Sequence, residues 1–531
     1  MKHILACSCV SAVLVWILVW SGLHSSPDRN EDSNRENRHV NLPEAIRAIT
    51  EAPEYRAAHW GLLVVDLESG ETVFEQNADK LFAPASVTKL FSVAAALEEL
   101  GPEYRFRTPV YQRGKVDESG QLDGDLIFVA SGDLTLGGRT NKHGRIAFCN
   151  GDHTYANASP RAELTEENPL AGLDDLARQV ASRGIKRVRG EIVVDDRLFE
   201  KAIGSGSGPR TLTPILVNDN LIDITVTPTR PGQRAVVTWR PQTTSVQMDA
   251  QVETVDQGEL PMILIRTLDP YQILVRGQIP VGNKPLLYVR EVPDPASFTR
   301  ALFIEALERR GVQVDASSLA ANNSTKLPEK TAVAGLPKAA ELVSPPFAEN
   351  ARLILKVSHN LHASTLPLLL AAKHGQQRYE DGMRRQRAAL ARLGVDVSSI
   401  SFGGGAGGSD ADYVTPRATV QLLRAMSKRP YFAAYSDALP ILGVDGTLCD
   451  CVAKDCPVCG KAQAKTGTLS WTNVMNGKVL LKSKALAGYL TNADGRKLAF
   501  AMFVNHAHLD KPGDTDRVGK TLGKLCEVLY Q

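Results

Sequence analysis

Alternating apolar and polar positions near the start of the chain predict a strand pair followed by a helix. The strands are Gly61–Leu67 and Glu71–Glu75, joined by a polar turn at 68–70. A long apolar segment follows, with Pro84 just ahead of it and Gly101 just after it, as is typical of a helix. Because this helix is apolar nearly all round, we expect it to be buried in the middle of a domain.

The type of predicted secondary structure changes twice along the rest of the chain. From about residue 110 to 330, short strands and Gly and Pro turns dominate. The strands predicted there are Leu126–Ala130, Gly190–Asp195 and Asp223–Thr227, and the helices are Leu173–Arg183 and Phe298–Arg310. Helical patterns return at Pro346–Gly375 and Thr415–Lys428, before strands at 462–470, 485–491 and 497–505 and a last helix at 514–530.

These elements predict a chain of the α/β (α+β) class with a split domain. Residues 42–109 and 331–531 form that domain, with an antiparallel sheet and helices. Residues 110–330 form one or two mainly β inserted domains. At roughly 150 residues per domain, the 531 residues fit about three domains.

The N-terminal segment predicts export. Lys2 precedes an apolar run, Ile4–Trp20, which is close to the roughly 20 residues that span a bilayer. No small-x-small cleavage pattern follows, so a cleaved signal peptide and a retained membrane anchor both stay open for residues 1–25. Residues 26–41 are polar and predict a tether. We expect the protein in the periplasm or on the extracytoplasmic face of the cell membrane.

Composition narrows the possible partners. Apolar residues make up 43% and charged residues 23%, which is ordinary for a globular protein. The net charge is only +2 and aromatic residues are 6% of the chain. Neither a basic patch nor a stacking surface for bases is indicated, so we expect no nucleic-acid partner.

Four cysteines crowd one short segment: Cys449, Cys451, Cys456 and Cys459. An exported protein meets an oxidising compartment, so two local disulfides are the favoured interpretation. A structural four-thiolate zinc site is the alternative, because Cys456-Pro-Val-Cys459 is a suitable half-site, and free thiols are the third. No histidine or carboxylate joins the segment at ligand spacing, so we expect neither a catalytic metal nor a cofactor.

Three short motifs carry candidate chemistry. Ser86 and Lys89 lie one helical turn apart, so a neutral amine there could take the proton of the serine hydroxyl. That requires the pKa of the lysine to fall from about 10.4 to roughly 7–8. Ser358-His359-Asn360 follows at a break between helical stretches. Lys465-Thr466-Gly467-Thr468 begins the terminal sheet, where the glycine lets a ligand approach the backbone closely.

The order Ser-x-x-Lys, Ser-x-Asn, Lys-Thr-Gly resembles that of penicillin-binding proteins and class A β-lactamases. The long insertion between the first two motifs is similar to that of the low-molecular-mass class C penicillin-binding proteins, which are D-alanyl-D-alanine carboxypeptidases and endopeptidases. The resembling segments are 83–89, 131–136, 195–199, 218–223, 443–448 and 464–469. The resemblance covers the chain from about residue 45 to the C-terminus and implies a transpeptidase-type fold.

The resemblance also implies roles. Ser86 would attack the D-Ala-D-Ala carbonyl and become acylated, with Lys89 as the base. Ser358 would relay a proton to the leaving D-alanine, and Asn360 would bind the substrate amide. Lys465, Thr466 and Thr468 would receive the terminal carboxylate, beside Gly467. The backbone N–H groups of Ser86 and Thr468 would form the oxyanion hole.

Several positions depart from the family pattern. His359 stands where the family usually has Asn, which could change the pH profile at Ser358, and Ser364 stands where a Glu is usual. The stretch 404–409 is more glycine-rich than the family's, and 141–169 is an extra insertion. Asp133 and Asp445 lie in resembling segments, but we expect both carboxylates to be structural.

The sequence therefore favours a serine-type D-Ala-D-Ala carboxypeptidase or endopeptidase that acts on peptidoglycan stem peptides and is acylated by β-lactams. A β-lactamase-like hydrolase is the enzyme alternative, although no Glu is placed as its deacylation base would require. A non-catalytic envelope scaffold of the same fold is the alternative from another class. The N-terminal segment adds the membrane as a partner if it is not cleaved.

Overall fold

The computed structural model describes residues 44–157, 159–269 and 271–531. The predicted signal or anchor and the tether, residues 1–41, lie outside the described residues. Among the helices of the described ranges, none combines the length and the apolar character that crossing a bilayer requires.

Eleven helices are described, together with short 3-10 turns. They are α1 (Glu44–Thr50), α2 (Thr88–Leu100), α3 (Ala171–Ser182), α4 (Pro295–Arg309), α5 (Lys330–Ala334), α6 (Phe347–Lys356), α7 (Asn360–Lys373), α8 (Tyr379–Arg392), α9 (Pro416–Ser427), α10 (Phe432–Ser436) and α11 (Asp514–Tyr530).

The strands of the described ranges number 22. They are β1 (His59–Asp66), β2 (Thr72–Gln76), β3 (Arg107–Val116), β4 (Gln121–Val129), β5 (Arg187–Val188), β6 (Ile192–Asp195), β7 (Ala202–Ile203), β8 (Thr211–Leu212), β9 (Leu221–Thr227), β10 (Val236–Arg240), β11 (Gln247–Val255), β12 (Met262–Asp269), β13 (Gln272–Pro280), β14 (Leu286–Glu291), β15 (Gln313–Val314), β16 (Lys338–Val343), β17 (Ile400–Ser401), β18 (Tyr413–Val414), β19 (Ala462–Asn473), β20 (Lys478–Thr491), β21 (Lys497–Asn505) and β22 (Ala507–Leu509).

One antiparallel sheet joins the two ends of the described chain. Its strand order is β19-β20-β21-β1-β2, and β22 pairs with β20. Alternate side chains enter two separate cores, because successive residues of a strand point to opposite faces. Leu63 and Val65 of β1 pack in the core that contains α9, whereas Leu62 and Val64 pack in the core that contains α11.

Helix α2 is buried, as its apolar composition predicts. Residues from Thr88 to Leu97 are all buried, and the helix packs against α6, α7 and α8. Its C-terminus ends at Gly101, whose φ of 87° is a backbone conformation that favours glycine. A buried helix is a rigid support, so a side chain at its N-terminus is held in a fixed position.

The middle of the chain builds further sheets. The largest has the order β15-β5-β4-β3-β16, with β6 beside β4, and α3 packs on β16 and α4 on β6. Two three-stranded sheets follow, β10-β9-β14 and β11-β13-β12. Because β16 ends at Val343, the largest sheet extends past residue 330. The limits 42–109, 110–330 and 331–531 stay a prediction.

The four clustered cysteines do not form the two expected disulfides in this structure, in which Cys449, Cys451, Cys456 and Cys459 are free thiols, as are Cys149 and Cys526. Three of the clustered thiols face different neighbours: Cys459 faces Gly443, Cys451 faces the Thr447 carbonyl and Cys456 faces Glu527. Among the described residues these cysteines do not form a group of three or more thiols close enough to share a metal ion, and both their pairing and the alternative of a zinc site stay predictions.

Candidate active site

Ser86 lies on a 3-10 turn, Ala85–Val87, that leads directly into α2. Ala85 just before it has a φ of 46°, a strained conformation for a residue with a Cβ. The serine is half-buried, whereas the residues around it are buried. The fold therefore presents this one hydroxyl at the surface end of a buried helix.

The ammonium of Lys89 connects two of the three motifs. Its Nζ donates to Ser86 Oγ at 2.8 Å, to Asn360 Oδ1 at 2.7 Å and to the Ala406 carbonyl at 2.7 Å. Lys89 is 0% exposed. The three acceptors fix Nζ beside the hydroxyl, so the amine and the serine are in hydrogen-bond contact without any movement.

Burial controls the charge of both motif lysines. Loss of water holds the pKa of Lys89 well below its usual range, and the nearby Lys465 lowers it further, while Asp412 raises it. Burial lowers the pKa of Lys465 to about 7. A neutral Lys89 beside a serine hydroxyl can accept its proton, and Lys465 is poised between its two charge states near neutral pH.

The third motif lies on β19, the first strand of the sheet order, against the serine turn. A Cβ on Gly467 would come within 2.4 Å of the Pro84 carbonyl, so only glycine lets the strand approach so closely. Thr466 Oγ1 donates to Thr447 Oγ1 at 2.8 Å, and Lys465 Nζ donates to the Thr466 carbonyl at 2.9 Å. Thr468 is exposed, which leaves it open to a ligand beside Ser86.

The second motif occupies the break between α6 and α7. Ser358 has a φ of 64° and is 8% exposed, and its carbonyl accepts a hydrogen bond from the Tyr155 hydroxyl. Asn360 begins α7 and is half-buried, and its Nδ2 donates to the Ser207 carbonyl at 3.0 Å. The amide of Asn360 is thereby held between Lys89 and the 206–207 turn.

The side chain of His359 points into the interior. Its ring is 0% exposed and stacks on the ring of His362 with centroids 3.7 Å apart. Ser364 is also buried, and its hydroxyl has no hydrogen-bond partner among the described residues. The two residues that depart from the family pattern, His359 and Ser364, therefore lie in the interior behind the three motifs.

A glycine-rich loop completes the site, and sequence reasoning treated it only as a departure. A Cβ on Gly407 would come within 1.9 Å of the Ala85 carbonyl, and the Gly405 carbonyl accepts from Ser92 Oγ at 2.8 Å. Asp412 anchors the loop through the backbone N–H groups of Gly403 and Ser409 at 2.8 and 2.7 Å. The density of glycines at 403–408 is the sequence signal that could have predicted the close approach of this loop to the serine turn.

The two carboxylates in resembling segments outside the motifs, Asp133 and Asp445, have structural contacts. Asp133 Oδ1 accepts from the backbone N–H groups of Thr135 and Leu136 at 3.0 and 3.1 Å. Asp445 accepts from Lys356 Nζ at 2.6 and 2.8 Å, which ties the end of α6 to the segment ahead of β19. Tyr155 was missed, because it lies in the extra insertion, where nothing in the local pattern marks it.

Comparison with known proteins decides the family. The model of the D-Ala-D-Ala carboxypeptidase 3 (S13) family matches residues 42–522. The chain belongs to this family. The predicted membership among the low-molecular-mass penicillin-binding proteins is thus confirmed, and at this level so is the prediction of a serine-type D-Ala-D-Ala carboxypeptidase.

Individual relatives agree. The chain is 28% identical to a D-alanyl-D-alanine carboxypeptidase of an Actinomadura species over 513 residues, which covers 89% of this chain and 82% of that protein. It is 23% identical to D-alanyl-D-alanine carboxypeptidase DacB of Haemophilus influenzae over 461 residues, which covers 84% of this chain and 85% of that protein.

A solved structure shows the same fold. The crystal structure of penicillin binding protein 4 of Haemophilus influenzae matches with a TM-score of 0.68 at 20% identity, covering 92% of this chain and 100% of that one. The same protein in complex with a β-lactam matches with a TM-score of 0.65. The predicted α/β (α+β) penicillin-binding fold is confirmed.

Proposed function

We propose that this carboxypeptidase of the S13 family releases the terminal D-alanine of peptidoglycan stem peptides through an acyl-enzyme on Ser86. The observation that carries the proposal is the 2.8 Å contact between Lys89 Nζ and Ser86 Oγ in a site that keeps the lysine fully buried. A buried amine with a lowered pKa is the base that a serine nucleophile needs.

The proposed steps combine the contact between Lys89 and Ser86 with the roles that the family resemblance implies for the other residues. Neutral Lys89 takes the hydroxyl proton as Ser86 Oγ attacks the carbonyl carbon of the D-Ala-D-Ala bond. Ser358 passes a proton to the departing amine, and water later hydrolyses the ester. The backbone N–H groups of Ser86 and Thr468 stabilise the oxyanion, which is supported by the close approach of β19 to the serine turn.

Recognition of the substrate uses the β19 strand. A peptide laid beside the exposed Thr468 would add to the edge of the sheet with its carboxylate toward Thr466 and Lys465. The ammonium of Lys465 supplies the positive charge for that carboxylate. Asn360, whose amide is held by Lys89 and the 206–207 turn, would bind the substrate amide.

Substitution of Lys465 by Met tests this role. We expect about 10- to 100-fold weaker recognition of a D-Ala-D-Ala peptide, because a charged hydrogen-bond partner of the carboxylate is lost. In the wild type, recognition should weaken above pH 7, since the pKa of Lys465 is about 7 and the ammonium loses its proton there. The KM of the peptide as a function of pH measures both effects.

The same variant should be more stable. The unfolded state binds the lysine proton up to about pH 10.5 and the folded state only up to about pH 7, so the wild type gains stability as the pH rises through that window. At pH 7 we expect Lys465→Met to raise the free energy of unfolding by roughly 1–4 kcal/mol, because the variant no longer bears the desolvation cost that lowers the pKa of the lysine. Lys461→Met, at an exposed neighbouring position, is the control for the change in stability.

An unchanged KM for the D-Ala-D-Ala peptide in Lys465→Met would contradict the proposed role of Lys465 in binding the terminal carboxylate.

We also propose that β-lactams acylate Ser86. Penicillin binding protein 4 of Haemophilus influenzae, which shares this fold, forms a complex with a β-lactam. The opened ring keeps its amine tethered in the site, so water reaches the ester less readily than after departure of D-alanine. Uptake of a fluorescent penicillin is therefore the direct test of the proposed site.

Export is the remaining part of the proposal. The apolar run Ile4–Trp20 supports placement of everything after it outside the cytoplasm, with attachment to the membrane if the run is retained. Reporter fusions after His39 should be active only with a reporter that folds outside the cytoplasm. Strong activity of a cytoplasmic reporter would contradict this placement.

A further inference from the structure

Behind the second motif, imidazole and carboxylate side chains from separate segments meet in the interior. His359 and His362 stand at the start of α7, and Asp219 comes from the turn ahead of β9. Asp152 and His153 come from the extra insertion. All five side chains are at most 3% exposed. So many ionisable groups away from water require matched partners.

Two ring nitrogens of this cluster, Nε2 of His359 and Nδ1 of His362, lack such a partner among the described residues. Nε2 of His359 lies 3.3 Å from Asp219 Oδ1 but makes no hydrogen bond in the described structure. Its other nitrogen, Nδ1, accepts from the backbone N–H of His362 at a long 3.4 Å. A fully buried nitrogen that lies close to a carboxylate oxygen without bonding to it is unusual and needs an explanation.

The spacing of the groups is that of ligands on one ion. Asp219, His359 and His362 each offer a ligand atom, and these three atoms lie within 4.8 Å of one another. Two ligand atoms of a tetrahedral zinc ion lie about 3.3 Å apart, given its bond lengths. The separation of His359 Nε2 from Asp219 Oδ1 has this value. His362 Nε2 is closer, at 2.6 Å, because it forms a hydrogen bond to the same oxygen.

Outer groups hold the carboxylate in place, as the partners of metal ligands do. Asp219 Oδ2 accepts from Arg139 Nη2 at 2.7 Å and faces His153 Nε2 at 2.9 Å. His153 Nδ1 in turn faces Asp223 Oδ1 at 2.6 Å. The residues 218–220 all have positive φ values, between 52° and 54°, so the turn that carries Asp219 is strained into this position.

The charges around Asp219 allow a competing explanation without a metal. Three buried carboxylates, Asp152, Asp219 and Asp223, face two guanidinium groups, those of Arg139 and Arg240. Asp223 and Asp219 raise the pKa of His153 to about 10, so a protonated His153 can balance the third carboxylate. The charge count therefore does not require a metal ion, whereas the spacing of the ligand atoms indicates one.

We propose that Asp219, His359 and His362 bind a divalent transition-metal ion of the zinc type through Oδ1 and the two Nε2 atoms. Two imidazoles and one carboxylate suit zinc and cobalt better than magnesium or calcium, which prefer oxygen ligands. Binding through Nε2 requires the His359 proton on Nδ1, which breaks the long 3.4 Å hydrogen bond from the His362 N–H, and it replaces the hydrogen bond between His362 and Asp219.

Such an ion would connect the inserted part of the chain to the second motif. His359 lies between Ser358 and Asn360, so a metal on its ring would fix the loop that carries both residues. His359 and His362 then act as structural ligands, outside the reaction itself. This inference is independent of the acylation of Ser86, and either can fail without the other.

Cobalt alone is a suitable probe, because its visible spectrum reports the ligands. The metal-stripped full-length protein should bind one equivalent of Co²⁺, with the d–d bands of a four- or five-coordinate nitrogen and oxygen site and a higher unfolding temperature. A strong near-ultraviolet band from sulfur would assign the ion to the cysteine segment 449–459 and overturn the proposal. So would the absence of stoichiometric binding.

Substitutions locate the ion. His359→Asn installs the residue that the resembling family usually has, and we expect it to fold and to bind Co²⁺ at least about 100-fold more weakly. Asp219→Asn should lose binding as well, while His143→Ala, at an exposed histidine, should bind as the wild type does. Wild-type affinity in His359→Asn would show instead that the cluster is a network of ion pairs, in which a protonated His153 balances the carboxylates.

Discussion

Ser86→Ala should abolish both the covalent penicillin adduct and the release of D-alanine. The hydroxyl is the only group of that side chain that can form the ester, so its removal takes away the bond-forming atom. In a serine protease the loss of the nucleophile costs about 10⁶-fold in rate, and we expect at least about 10⁴-fold here. Mass spectrometry of the peptide that contains Ser86, after exposure to penicillin, measures the adduct.

The substitution should leave the fold intact, because Ser86 is half-buried and the variant side chain is smaller. Ser182→Ala, at an exposed position at the end of α3, is the matched control and should take up penicillin as the wild type does. An adduct of unchanged mass and yield in Ser86→Ala would place the nucleophile elsewhere. A folded wild type that takes up no penicillin and releases no D-alanine would favour the scaffold alternative.

Lys89→Ala should slow acylation by about 10²- to 10⁴-fold, the usual contribution of a general base. The substitution removes the proton acceptor 2.8 Å from Ser86 Oγ and leaves Asn360 Oδ1 without the donor that holds it. The rate of acylation by a fluorescent penicillin, followed by stopped flow, measures the loss.

The pH dependence separates a base from a merely structural lysine. In the wild type, acylation should slow as the pH falls and Lys89 becomes protonated, at a pH well below the usual range of a lysine. Lys465 lowers the pKa of Lys89 and Asp412 raises it, so both residues affect the pH at which acylation slows. This decrease of the acylation rate at low pH should be absent in Lys89→Ala and should persist in Lys80→Ala, an exposed control. If the decrease persists in Lys89→Ala, another group is the base.

Local patterns in the sequence were sufficient to predict the elements that carry the motifs. The last helix was predicted at 514–530 and is found there, and the strand at 497–505 likewise. The reason is that burial on one or both sides of an element leaves a periodic record along the chain. Ser86 and Lys89 could be paired for the same reason, since residues three apart on a helix are neighbours.

The cysteine segment shows where such reasoning reached its limit. The spacing of the cysteines and the expected oxidising compartment favoured two disulfides. In the structure the cysteines are free thiols, and Cys456 lies beside Glu527 of α11. Spacing along the chain limits which cysteines can meet, but the directions of the side chains depend on what packs around the segment. Neither the pairing nor the alternative of a zinc site could be decided from the order of residues.

The sequence by itself determined the family, the order of the three motifs and the helix and strands that present Ser86, Lys89 and Lys465. Only the tertiary structure decided that Lys89 contacts Asn360, 271 residues away, and that both lysines are wholly buried. It also decided that His359 meets Asp219 behind the site. The physical reason is that pKa shifts and ligand clusters depend on desolvation and on contacts between distant segments, which leave no periodic record along the chain.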